Sequence, residues 1–208
     1  MITHWRLKMK LNDKGIEFIV TEETGGRAYY EKVYKSTFTW PGGYSGPTAM
    51  VGIDIGYYTE EEVDKIFKPL TDSMELALIR AGRGLKGSSA KEYTVKLKGI
   101  TFTWEEAIQT FKEFILPKFT NLTERAFPGV SELHENTQAA MVSLVFNRGT
   151  SFKGSSRAEM LELKKIIAAG KDYTAMASQF RSMKRLWDKT SGLVGRREKE
   201  AQLIDSCI

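Results

Sequence analysis

The spacing of apolar positions predicts a mainly helical chain with one extended interruption in its first third. "NDKGIEFIVTEETG" reads as a short helix, with Asn12 or Asp13 as cap and Ile16, Phe18 and Ile19 apolar. Gly25 and Gly26 end it. Residues 28–39, rich in aromatic side chains and threonine, predict a strand. A glycine-rich turn follows, and 49–55 predict a second short strand. "TEEEVDKIF" opens a helix with a capping box from Thr59 to Glu62 and three acids at the positive end of its dipole. A helix is expected over 71–82, then a loop around "GRGLKGSS". Residues 103–126 follow Thr103 as cap, with Trp104, Ile108, Phe111 and Ile115 at helical spacing and a kink at Pro117. "NTQAAMVSLVFNRG" is apolar nearly all round, which predicts a helix buried on every side. Helices near 156–169, 172–183 and 192–205 complete the pattern. The expected class is α+β, mainly α, as a single domain over 1–208. A small lobe with a β-hairpin would take 12–70 and a larger all-helical lobe 71–208.

Composition narrows the chemistry. At 208 residues the chain is long enough to bury a real core. A net charge of +5 favours anionic partners such as nucleic acid, a membrane surface or an acidic wall polymer. The basic residues are spread along the chain, and no basic helix or aromatic stacking platform supports nucleic acid. Cys207 is the one cysteine, so an intramolecular disulfide and a cysteine-based zinc site are excluded. His4 and His134 have no metal-ligand spacing, and no cofactor is expected. "MITHWRLKMK" lacks the apolar core of a signal peptide, and no stretch reaches transmembrane length. The expectation is a protein made in the cytoplasm and not inserted in a membrane. If it works elsewhere, something else delivers it.

Without a histidine near a nucleophile, a triad is poorly supported. Walker and dinucleotide fingerprints are missing as well. Carboxylates remain, and four of them sit where the chain can gather them: Glu22, Glu23, Glu31 and Asp54. Glu22 and Glu23 lie at the end of the first helix, facing the negative end of its dipole, which suits a carboxyl that must carry a proton. Adjacent residues are about 100° apart around a helix axis, so only one of the two shares the apolar stripe. Ile16 and Ile19 continue to Glu23 at i+4, which favours Glu23 and leaves Glu22 as the alternative. The stretch "WPGGYSGPTAMVGIDIGYYT" bends sharply around two small polar side chains, Thr48 and Asp54.

Several segments carry a resemblance. "GIEFIVTEETGGRAYY" is similar to the start of phage-type lysozymes, whose first helix ends in a catalytic Glu. "AAMVSLVFNRG" resembles their central buried helix, and "GLVGRREKEAQLI" their closing helix. "WPGGYSGPTAMVGIDIGY" and "SMKRLW" resemble a branch related to the bacteriocin pesticin and to prophage muramidases. That branch typically reads Trp-Pro-Gly-Gly-x-Ser-Gly-Val-Thr-Ile-Gly-x-Gly-Tyr-Asp-Leu-Gly. Together these motifs run from about residue 15 to 204.

The resemblance implies a lysozyme-like fold and a muramidase that cleaves the β-1,4 bond between N-acetylmuramic acid and N-acetylglucosamine, leaning to inversion. It also implies Glu23 as general acid, Thr48 as the motif's threonine and Asp54 as the carboxylate six residues later, with Glu31 in reserve. Tyr57, Asn147 and Arg148 are weaker substrate-binding candidates, Asn147 fitting a helix-end role better. Trp187 is expected to pack in the helical lobe, and Arg196 and Arg197 to be structural or surface residues. Departures from the motif are Pro47 for Val, "AMVGID" for "IGIGYD", and Thr24 after the acid. The implied partner is peptidoglycan, with a cognate immunity or inhibitor protein if the chain is a toxin, and a monomer is expected. The alternatives are an inactive wall-binding module of the same fold and a bacteriocin or secretion-system effector. Either enzyme would act in the periplasm or cell wall.

Overall fold

The computed structural model describes residues 9–34 and 38–208. It is mostly helical with one small antiparallel sheet, the α+β class expected. Two compact units divide it: Val20–Leu116, and the residues through Ile19 together with Pro117–Ile208. Helix α1 (Asp13–Thr24) belongs to both, the division falling after Ile19.

Asn12 starts α1. Its side chain accepts from the Gly15 N–H at 2.8 Å, satisfying a donor that the first turn leaves orphaned. At the other end, Thr24 turns its hydroxyl back onto the Val20 carbonyl at 2.7 Å and is buried. That bond explains how a polar residue is tolerated at this place in the motif. Gly25 and Gly26, with φ of 79° and 88°, then stop the helix.

In the Val20–Leu116 unit, residues 28–34 of the strand predicted over 28–39 are helical instead. Helix α2 (Arg27–Tyr29) runs on as a π-helical turn over Tyr30–Tyr34; residues 35–37 of the prediction lie outside the described residues. Tertiary packing overrides strand propensity here. Tyr30 is fully buried, lies edge-on to Trp104 at 5.4 Å and donates to the Phe102 carbonyl. Burial, helped by the Glu106 charge, pushes its phenol up, so it stays a donor. The sheet instead pairs β1 (Thr48–Ala49) with β2 (Ile53–Asp54), and Thr39 bridges to Thr48. The expected 49–55 strand is thus a turn flanked by two short strands. Helices α3 (Glu60–Phe67), α4 (Ser73–Gly82), α5 (Gly87–Thr94) and α6 (Trp104–Thr110) follow. Thr59 and Glu62 form the expected capping box of α3. Helix α5 occupies part of the predicted "GRGLKGSS" loop, starting at its glycine. Phe38, Phe67 and Phe102 close this core, ring centroids 5.6 to 6.1 Å apart.

Helix α6 passes through a π-helical turn, Phe111–Ile115, into α7 (Leu116–Ala126). Pro117 lacks an N–H and crowds the carbonyl of Glu113, and the widened turn lies where the regular ladder would fail. In the other unit, α8 (Glu135–Arg148) is buried continuously from Thr137 to Val145, as its sequence predicts. Around it pack α7, α9 (Ala158–Ala169), α10 (Tyr173–Ser182) and α11 (Gly192–Asp205). Arg196 and Arg197 of α11 are buried, not surface residues. Glu200, itself inaccessible, accepts from both arginines and from the Ser143 hydroxyl at 2.6 Å. Charges out of water at this depth are tolerable only when hydrogen-bonded to one another.

Candidate active site

The hairpin builds the densest polar arrangement among the candidate residues. Thr48 and Asp54 are register partners. They lie on different strands and face each other across the hairpin. The Ile55 N–H bonds to the Pro47 carbonyl at 3.0 Å, while Thr48 exchanges both its backbone bonds with Thr39. The Thr48–Asp54 pair is therefore the non-hydrogen-bonded kind, in which facing side chains come closest.

Asp54 is anchored by backbone. Its Oδ1 accepts from Gly46 at 3.0 Å and from Gly56 at 2.9 Å, and its Oδ2 accepts from Gly46 at 3.1 Å. Gly46 must be glycine: a Cβ there would lie 2.4 Å from Asp54 Oδ1 and 2.5 Å from the Gly56 nitrogen. Two oxygens offer about four lone-pair sites, so three bonds leave one on Oδ2. The Thr48 hydroxyl donates to the Gly46 carbonyl at 3.1 Å, which commits its proton and leaves its oxygen as an acceptor. The pair thus presents two acceptors side by side.

Glu23 lies in the last turn of α1, on the face that runs Ile16, Ile19 and Val20. One of its oxygens, Oε1, is shielded from solvent. Glu22 is half-buried in the same turn. Glu31 sits elsewhere in purpose, bonded to the exposed Arg27 at 2.9 Å, and Arg27 also bonds Glu105 at 2.8 Å. Tyr57 is 60% exposed and donates to the Tyr44 carbonyl. Tyr58, which the sequence reading passed over, is half-buried. Burial first, then the charges of Glu62 and Asp54, pushes its phenol up, so it keeps its proton beside Asp54. Its only signal in sequence was its position after "GY".

Asn147 and Arg148 belong to the other unit. Asn147 Oδ1 accepts from the buried Arg197 at 3.4 Å, a holding role at the end of α8. Arg148 donates to the Ser156 carbonyl and lies 5.0 Å from the ring centroid of the half-buried Trp187. Burial, then the nearby Arg157, lowers its pKa. Among the described residues no group of His, Cys, Asp or Glu is disposed to hold a metal, and no helix is long and apolar enough to cross a membrane.

No curated protein matches the chain. The family model described as phage lysozyme matches residues 54–200. The match begins at Asp54, so Glu23 and Thr48 lie outside it. It nevertheless spans most of the chain, from the second strand of the hairpin through α8 and into α11. The chain belongs to the phage lysozyme family, glycoside hydrolases of the lysozyme type whose substrate is peptidoglycan.

Proposed function

We propose that the protein is an N-acetylmuramidase that cuts the β-1,4 bond between N-acetylmuramic acid and N-acetylglucosamine. Glu23 acts as general acid, protonating the leaving glycosidic oxygen. Thr48 and Asp54 hold the attacking water. The observation that carries this reading is the facing pair: each member keeps an acceptor after its backbone bonds are made. A water that donates one hydrogen to Thr48 Oγ1 and the other to Asp54 Oδ2 turns its own lone pair outward, towards an anomeric carbon. Such activation of water, with the carboxylate acting as base, is the inverting route. A shielded carboxyl at the C-terminal end of a helix suits the acid's task. The enzyme would act on the wall after release or delivery from the cytoplasm, as an endolysin does. A toxin of identical chemistry would differ in carrying an immunity partner.

The test is mass spectrometry of digested peptidoglycan. Reducing muramic ends are expected; anhydro ends would mean a transglycosylase, reducing glucosamine ends a glucosaminidase, and no cleavage a binding module. Glu23→Gln should abolish release while melting within a few degrees of wild type, and Glu22→Gln should keep most activity. Thr48→Ala should slow the reaction by about 10²-fold, the lower range for one positioned proton-handling group. Full activity in Glu23→Gln would move the acid to its neighbour or elsewhere.

A further inference from the structure

Lys86 and Lys91 of the Val20–Leu116 unit are seated on aromatic rings. Lys86 Nζ lies 3.8 Å from the Tyr57 ring centroid, and Lys91 Nζ lies 5.6 Å from that of Trp40. Among the described residues neither is ion-paired, and Glu92, the carboxylate of α5, pairs with neither. A ring attracts an ammonium through its quadrupole but brings no net charge, so the positive charge stays available to a third group. A carboxylate in the same place would have neutralised it.

The rings and lysines belong to one knit piece of structure. Trp40 Nε1 donates to the Ser45 carbonyl at 3.1 Å, and the Gly87 N–H, at the start of α5, donates to the same oxygen at 3.0 Å. The Tyr57 hydroxyl donates to the Tyr44 carbonyl at 2.9 Å. Tyr44 itself is 78% exposed and Tyr57 60%, among the most exposed large apolar side chains. Exposed aromatic faces interleaved with uncompensated cations suit a polymer that alternates sugar rings with carboxylates.

We propose that Trp40, Tyr44, Tyr57, Lys86 and Lys91 form an accessory surface that grips a peptidoglycan strand, sugars against the aromatic faces and stem-peptide carboxylates on the two ammonium groups. The proposal rests on peptidoglycan as the family's substrate and adds the residues that hold the polymer near the hairpin.

Sedimentation with sacculi stripped of phosphate polymers tests it. The double variant Lys86→Gln/Lys91→Gln should bind about tenfold more weakly at low salt and lose most of the salt dependence of binding. Lys86→Arg/Lys91→Arg should restore both. Tyr44→Ala should weaken binding at low and high salt alike, with an unchanged melting temperature. Wild-type affinity and salt dependence in the double variant would overturn the proposal. So would binding only to unstripped sacculi, or tighter binding to single-stranded DNA. Failure here is separable from failure of the muramidase reading, because the latter is judged by the ends released and not by sedimentation.

Discussion

Asp54 spends most of its acceptor capacity on the backbone of Gly46 and Gly56, both buried. A structural role and the proposed chemical one therefore meet in one side chain, and two substitutions separate them. Asp54→Asn can keep its oxygen at the Oδ1 position, which serves both glycines, so urea unfolding should shift by less than about 1 kcal/mol. Asp54→Ala orphans two buried N–H groups and should cost on the order of 2–4 kcal/mol. If Asn is inactive at near-native stability, the carboxylate works on substrate; an active Asn variant would reduce Asp54 to a loop tie. Sequence alone brought Thr48 and Asp54 to attention as lone polar side chains among glycines. It could not reveal the backbone anchoring, because Gly46 and Gly56 are contacts made by folding. Helical spacing did favour Glu23 over Glu22, because the stripe of Ile16 and Ile19 is local information.

The hairpin shows how elements absorb departures from a motif. Pro47 has no N–H to return to Ile55, so the ladder ends there and the Ile55 carbonyl is taken by Gly84 at 3.3 Å. Met50 occupies the place of the motif's first glycine after Thr48, and it is left-handed at φ 49° and buried. That conformation costs an L-residue about 1–2 kcal/mol, while burying a methionine contributes about 1.5–3 kcal/mol. Burial narrowly wins. Met50→Ala keeps the strain and loses the burial, so it should be less stable than Met50→Gly by about 1 kcal/mol, read from denaturation midpoints. The reverse order would mean that backbone strain is not what the family's glycine relieves. Elements written in local periodicity and caps, such as α3 and α8, were legible in sequence. Residues 28–34 were not, because burial of Tyr30 against Trp104 outweighs their strand propensity. A different device joins α10 and the turn after it to α11: Lys184 and Arg181 bond Glu198 at 2.6 and 3.1 Å. The Lys184 hydrogen bond first, then Arg181, holds the Glu198 carboxyl below its ordinary value of 4.5. A depressed folded value contributes stability that is present above the unfolded value and lost as pH falls through the folded one. The stability gap between wild type and Glu198→Gln should therefore close below about pH 4.5. A gap that persists in acid would assign the effect to packing.

At the scale of the whole molecule, helix-rich composition and one glycine-dense bend were enough to place the chain in its class, and ordered motifs pointed to its family. The interior ion cluster was not foreseeable, since Arg196, Arg197 and Glu200 look like surface charges until Ser143 is found beside them. The division of the chain into units has its own consequence. One unit is built from segments on both sides of the other, so the residues that lead into α1 reach α8 across a long loop: Asn12 meets Asn136, 124 positions away, and Lys10 meets Gln138. Loop closure of this length carries an entropic cost that contacts within either segment avoid. Those long-range contacts should form late on refolding, after helix content has returned. The helix that carries Glu23 would then be docked last, so hydrolytic activity should reappear with a lag behind the far-ultraviolet signal. Simultaneous recovery would show that the loop closes early. On that reading, the residue proposed as the catalytic acid is mounted on the joint of the chain that closes last.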